Sequence, residues 1–162
     1  MKLQKVAIVS KVGSKESEEA AKTVAKKFLA KKSKVFTISP IDVEGAKKVE
    51  SLEELKKEKL DLVVTLGGDG TTLRVFRYLE NETPILTINV GGNRGILSEI
   101  TIDEIDDAIE KILKDKFFLD KRTRVVASCG GKEFPPALNE IYICRTNLTK
   151  TAEIEIKFQN DT

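Results

Sequence analysis

The 162-residue sequence reads as an α/β protein, with a Rossmann-like parallel sheet over 1–116 and the start of an antiparallel all-β unit over 117–162. Three observations predict this. Short apolar runs alternate with stretches of helical period through the first part, which requires right-handed crossovers and a sheet covered on both faces. Beyond 116 the runs become β-branched and turn-separated, with no helical period between them. A glycine-rich turn, Gly67-Gly68-Asp69-Gly70-Thr71, joins a strand to a helix at the carboxyl end of the sheet, where open α/β sheets bind ligands.

Each element follows from local pattern. Residues 5–10 (KVAIVS) form an apolar run stopped by Gly13, the mark of a buried strand. Over 14–32 the apolar positions Ala21, Val24, Ala25, Phe28 and Leu29 share one helical face, with Ser14 as a cap. Residues 35–39 make a second strand ended by Pro40, and 51–59 a short helix with Ser51 and Glu54 as capping box. A third strand over 61–66 leads into the glycine turn and a helix over 71–79. That helix should bury a Leu73–Phe76–Leu79 stripe and carry Arg74 and Arg77 as surface cations. A fourth strand covers 84–90, and a helix over 103–114 starts near Thr101 or Asp103. In the second unit, strands are expected over 124–128, 138–144 and 152–158, with a turn at Gly130-Gly131. Few strands with one apolar face are marginal alone, so this unit reads as incomplete.

Composition narrows the chemistry. Lys and Arg total 28 against 26 Asp and Glu, a net charge of +2, too balanced for a dedicated nucleic-acid binder or a polybasic membrane anchor. The absence of histidine excludes Ser-His-Asp and Cys-His catalysis and every His-ligated metal site. Cys129 and Cys144, the only cysteines, lack CxxC spacing and suit a reducing compartment. No apolar run approaches the roughly 20 residues of a membrane span, and the N-terminal run is too short for a signal peptide. The expectation is a cytoplasmic protein.

The glycine turn has two readings. Its backbone N–H groups and the following helix N-terminus suit phosphate; alternatively the glycines only supply unusual dihedrals while Asp69 or Thr71 caps the helix. Asp69 favours chemistry. A carboxylate repels phosphate oxygens unless a metal ion or a reacting hydroxyl lies between, and phosphoryl transfer needs such a carboxylate. The turn is neither a GxxxxGK loop nor a GxGxxG fingerprint. A second glycine turn, Asn89-Val90-Gly91-Gly92-Asn93-Arg94-Gly95, follows the next strand and should share the crevice if the strands are parallel neighbours. There Arg94 can pair with phosphate or stand in solvent. Asn139-Glu140 interrupts an apolar run, either as a pair of ligand contacts or as a solvated strand end.

Together the GGDGT turn, the segment Gly92-Asn93-Arg94-Gly95-Ile96-Leu97-Ser98-Glu99 and the strand bearing Asn139-Glu140 resemble the NAD kinase family in order and spacing, over nearly the whole chain. Lipid kinases and phosphofructokinases carry similar first turns, but the Gly-Thr-Gly-Asn-Asp type of loop typical of the lipid kinases is absent. The resemblance implies transfer of the terminal phosphate of ATP, or of polyphosphate, to the 2′-hydroxyl of the adenosine ribose of NAD, with Mg²⁺ or another divalent cation. It implies Asp69 as catalytic carboxylate, Gly67, Gly68, Gly70, Thr71 and Arg94 facing phosphates, and Ile96, Asn139 and Glu140 holding NAD. The second loop is one residue longer than the family's, and Ile96 stands where the family often has an aromatic. The family's later Gly-Asp-Gly and Thr-Pro-x-Gly-Ser-Thr-Ala-Tyr segments do not occur, so the sequence resembles the first part of such an enzyme. The expectation is an inactive, self-associating chain when taken alone, with NAD and ATP as its partners and no protein metal site. The alternatives are another GGDGT-type kinase acting on a lipid or sugar, or a non-catalytic nucleotide-binding module.

Overall fold

The computed structural model describes residues 3–79, 82–92, 95–147, 149, 151 and 153–158. Its centre is a six-stranded, wholly parallel sheet in the order β3-β2-β1-β4-β5-β6. The strands are β1 (Lys5–Ser10), β2 (Lys34–Ile38), β3 (Lys47–Val49), β4 (Leu62–Leu66), β5 (Ile85–Asn89) and β6 (Ile100–Thr101). Helices α1 (Lys15–Ala30), α2 (Leu52–Leu55), α3 (Asp69–Tyr78) and α4 (Ile105–Leu113) cover it. The chain runs outward from β1 in one direction and from β4 in the other. The reversal of strand order therefore lies between β1 and β4, and a crevice opens there at the carboxyl ends.

Period-two alternation in the central strands sorts side chains onto two cores. Val6 and Ile8 of β1 with Leu62, Val64 and Leu66 of β4 meet Val24, Phe28 and Ile109 of α1 and α4. Ala7, Val9 and Val63 meet Leu55, Val75 and Leu79 on the opposite face. Such double coverage makes β1 and β4 continuous apolar runs rather than alternating ones. Helix α1 starts where Ser14 Oγ accepts from the Ser17 amide at 3.3 Å. Thr101 and Glu104 form a capping box ahead of α4, through a short 3-10 turn over Ile102–Glu104.

The sequence expectations need four corrections in this half. β3 and β6 were not anticipated. β3 carries two lysines, tolerable because it is an edge strand with one side free to solvent, and β6 is only two residues long. Helix α2 stops at Leu55, since no apolar residue continues its face before the buried Leu60. In α3 the buried residues are Thr71, Thr72, Val75 and Leu79, whereas Leu73 and Phe76 are half-buried. The rotation follows from a hydroxyl pair, Thr65 Oγ1 to Thr72 Oγ1 at 3.0 Å, which aligns α3 on β4. Arg74 is half-buried and its Nη2 donates to the Ser10 carbonyl at 3.2 Å; only Arg77 is an exposed cation.

After α4 the chain is irregular. A two-stranded antiparallel hairpin forms from β7 (Ser128–Cys129) and β8 (Lys132–Glu133). Gly130 and Gly131 turn it with φ of 57° and 77°, the left-handed pair that hairpin turns require. A bridge between Val125 and Ala137 extends the pairing. The strands expected over 138–144 and 152–158 are absent among the described residues, and Tyr142, Ile143, Ile154, Ile156 and Phe158 are exposed. A strand needs a neighbour for its N–H and C=O groups, and among the described residues no strand pairing includes either segment. No helix among the described residues is long and apolar enough to cross a membrane.

Two stability outcomes follow. Phe28→Ala, which empties a fully buried ring site in the α1 core, should lower the unfolding free energy by about 3–5 kcal/mol, measured by urea denaturation. Glu58 is held below the usual carboxylate range, first by the hydrogen bond from Lys47 and then by that from Lys5. A depressed folded-state value stabilises above the unfolded value and is lost as pH falls through the folded one. Glu58→Gln should therefore flatten the acid side of the stability–pH curve and lower the plateau above it by a constant amount, meeting the wild-type curve at low pH, as urea denaturation across pH would show.

Candidate functional site

The site is built from two glycine turns on adjacent strands. β4 pairs with β5 in register from Val63↔Ile85 to Leu66↔Ile88, and the Gly67 amide continues the ladder to the Ile88 carbonyl at 3.0 Å. Both turns thus leave the same edge of the sheet.

In the first turn, Gly67 is buried with φ +146°, and a Cβ there would lie 2.7 Å from Thr71 Oγ1 and 2.9 Å from Lys11 Cβ. Glycine is required by both backbone and space. Gly68 and Gly70 differ: a Cβ at either would meet nothing within 4 Å. Gly68 is the N-cap of α3 and Gly70 lies in its first turn, a helix start of the kind that suits an anion. Thr71 is buried beneath the turn and supports it from below.

Asp69 is the first residue of α3. It does not cap the helix; Gly68 occupies the N-cap position, and no side-chain cap bond forms, from Thr71 or otherwise. The carboxylate is instead turned across to the second turn. Oδ2 accepts from the Ile96 amide at 3.1 Å and Oδ1 from the Leu97 amide at 3.0 Å. Gly95 makes this approach possible, because a Cβ there would stand 2.1 Å from Asp69 Oδ1. Two charge-assisted hydrogen bonds fix a half-buried anion in one orientation, while its remaining lone pairs stay available.

The second turn leaves β5 through Gly91 and Gly92, with φ of +70° and +69°, and passes so close to α1 that a Cβ on Gly91 would lie 2.7 Å from Glu16 Oε2. Asn89 at the end of β5 is half-buried, and its Oδ1 has no hydrogen-bond partner. On the far side of the crevice, Arg74 brings its guanidinium to the end of β1 and leaves a buried Nε without a partner. Arg94, expected to face phosphate, and Asn93 lie outside the described residues.

The remaining expected residues are dispersed. The Ile96 side chain is 90% exposed, and only its amide engages the site. Asn139 and Glu140 are exposed in a bend after the bridge residue Ala137. The structure therefore joins Asp69 to the Ile96 segment, while Asn139 and Glu140 lie exposed beyond Ala137. A cleft of about 840 Å³ lies beside the bare edge of β5, between α3, α4 and the strand-free segment 117–124. Thr87 and Leu97 line it, whereas Asp69 is not among its lining residues. Arg124 closes one end of this cleft, donating from Nη1 to the carbonyls of Phe76 at 3.1 Å and Leu79 at 2.6 Å, the C-terminal end of α3. Sequence reasoning missed Gly95 as a contact of Asp69, and Thr87, Arg74 and Arg124 as supports. The one available signal was a polar residue at 87 and a cation at 74 inside otherwise apolar patterns.

Comparison with known proteins agrees with this geometry. Residues 5–117 match the family model of the ATP-NAD kinase N-terminal domain. The NAD kinase of Methanothermobacter thermautotrophicus is 29% identical over 160 residues, covering 98% of this chain and 56% of its own. NAD kinase 1 of Synechocystis is 32% identical over 161 residues, covering 96% and 52%. The chain spans about half the length of these curated relatives. Among solved structures, yeast NADH kinase complexed with NADH aligns with a TM-score of 0.67 at 19% identity, over 83% of this chain and 46% of that one. An Archaeoglobus fulgidus NAD kinase in complex with ATP aligns at 0.56 and 23%, over the same shares, and shares the fold. With the family model matched across the whole parallel sheet and both glycine turns, the chain belongs to the NAD kinase family.

Proposed function

We propose that this chain carries the phosphate-facing and catalytic part of an enzyme that phosphorylates NAD to NADP, a phosphotransferase with an alcohol group as acceptor and ATP as donor. The observation that carries this reading is Asp69, a carboxylate at the mouth of an open glycine turn, oriented by two amides of the neighbouring loop. The reaction needs little covalent help from protein. It needs the acceptor oxygen, the terminal phosphorus and the leaving oxygen in line, with charge compensated.

In this reading the ribose 2′-hydroxyl donates to Asp69, which takes its proton as the new O–P bond forms. The bond from the terminal phosphorus to its bridging oxygen breaks, and the electron pair leaves with ADP. Gly67, Gly68, Gly70 and Thr71 surround the phosphates, Arg94 pairs with them, and Ile96, Asn139 and Glu140 hold NAD. The relatives' names and the titles of the similar structures, one with NADH and one with ATP, support these substrates. No group of three acidic, cysteine or histidine ligands exists among the described residues. In this reading a divalent cation comes in on the phosphates and meets Asp69. Such a cation, when bound, offsets charge on the transferring group.

The division of labour falls near Lys116, with donor phosphates on the α/β part and NAD on the β-rich part. Exposed free thiols at Cys129 and Cys144 suit a cytoplasmic setting. The exposed apolar side chains Ile154 and Ile156 suit self-association.

In a form of the enzyme that turns over NAD, Asp69→Ala should reduce turnover by on the order of 10² or more while leaving the far-ultraviolet circular dichroism unchanged; wild-type turnover would sink the assignment. Glu140→Gln should weaken NAD binding more than ATP binding, because a carboxylate accepts from a ribose diol or an adenine amine but repels a triphosphate. Calorimetry with each nucleotide separately decides this, and equal losses would make the pair structural. The same titration separates a kinase for lipid or sugar, which would ignore NAD.

A further inference from the structure

We propose that Thr87 is a positioning residue for phosphoryl transfer, acting on the Asp69 carboxylate through Leu97. The proposal rests on the reading of Asp69 as the catalytic carboxylate.

Thr87 sits in the middle of β5 and is buried. A hydroxyl in an apolar strand costs free energy unless it is hydrogen-bonded, and this one is used twice. It donates to the Leu97 carbonyl and accepts from the Glu99 amide at 2.8 Å. The Glu99 amide also reaches the Thr87 carbonyl at 3.1 Å. The segment 97–99 is therefore wrapped around one side-chain oxygen.

Leu97 is held at both ends. Its N–H donates to Asp69 Oδ1 at 3.0 Å, and its C=O accepts from Thr87. A single residue with two soft dihedrals spans the gap. The amide and the carbonyl belong to adjacent peptide planes that meet at the Leu97 Cα, so freeing the carbonyl releases ψ there and loosens the aim of the amide at the carboxylate. Backbone bonds from the Ser98 amide to the Gly95 carbonyl at 3.4 Å and from the Glu99 amide to the Thr87 carbonyl at 3.1 Å also shape the loop, while the Thr87 hydroxyl takes the Leu97 carbonyl itself. Gly95 on one side adds no side chain, and the Ile96 side chain is exposed. Gly91 and Gly92 upstream both adopt left-handed dihedrals, which leaves the approach to the loop dependent on what pins its far end. The Thr87 hydroxyl is a pin on that far side. In-line transfer is sensitive to displacement: a misplacement of about 1 Å costs on the order of 10²-fold.

The test compares Thr87→Val, which keeps the shape and removes the hydroxyl, with Thr87→Ser, which restores it; Thr87→Ala reads the same loss should the valine variant not fold. Asp69→Asn supplies the reference. In amide proton–nitrogen spectra of this chain, Thr87→Val should move the Leu97 amide proton toward its position in Asp69→Asn. It should also speed its solvent exchange by about tenfold, the loss of one charge-assisted hydrogen bond of about 1.4 kcal/mol. Thr87→Ser should leave both near wild type. In the active enzyme, Thr87→Val should lower kcat by about tenfold with both KM values unchanged, and serine should restore it. A Leu97 amide that stays at its wild-type position and exchange rate in Thr87→Val overturns the proposal, as does a loss confined to KM or one that serine fails to rescue. Full turnover by Asp69→Ala overturns the parent reading and this one with it; dependence on Asp69 with an unaltered Leu97 signal overturns this one alone.

Discussion

The arrangement of the site depends on one ionic contact, the Asp69 carboxylate laid against the amides of Ile96 and Leu97. It joins two loops that the sheet only places side by side. Without it, the glycine turn after β4 would be a phosphate cradle and the turn after β5 a separate polar loop. With it, the two form one crevice walled by a charge whose direction is set before any substrate arrives. Preorganisation of this kind is where enzymes gain most, because the orientation is not bought again in each turnover. It also explains why small residues crowd the contact. Gly95 and Gly67 each lie where a single methyl group would collide with a functional side chain or its support.

The fold was legible where one physical rule dominated. Continuous apolar runs at β1 and β4 could only be strands buried on both faces, and α1 showed its helical stripe and its serine cap. Elements stayed hidden where context decides. Lys47-Lys48-Val49 becomes β3 because β2 offers it an open edge, and no local propensity signals that. The register of α3 was misread because a threonine pair, rather than leucine and phenylalanine, sets which face turns inward.

For the site, the motif singled out the turn and the carboxylate that the structure joins to the second loop, yet suggested a helix cap where the structure has a cross-loop contact. Spacing along a chain carries no information about a hydrogen bond to a residue 28 positions away. Thr87 was invisible for the same reason: a threonine suits a strand by propensity, and only the loop folded onto it shows what its hydroxyl holds. The β-rich part was misjudged in the opposite sense. Its alternation was real, but alternation describes a face that wants covering, and pairing needs a neighbour as well.

Arg124 adds a consequence through where it binds. Its guanidinium grips the carbonyls of Phe76 and Leu79, at the opposite end of the helix that begins with Asp69. Ten residues of helix form a stiff strut about 15 Å long. One end is anchored to the segment that leads into the β-rich part, the other carries the Asp69 carboxylate. A displacement of that segment is transmitted along the strut as tilt rather than absorbed in a loop. The same rigidity keeps the carboxylate's aim tied to how the rest of the polypeptide sits against the sheet, so alignment of the two halves and alignment of the chemistry become a single mechanical variable.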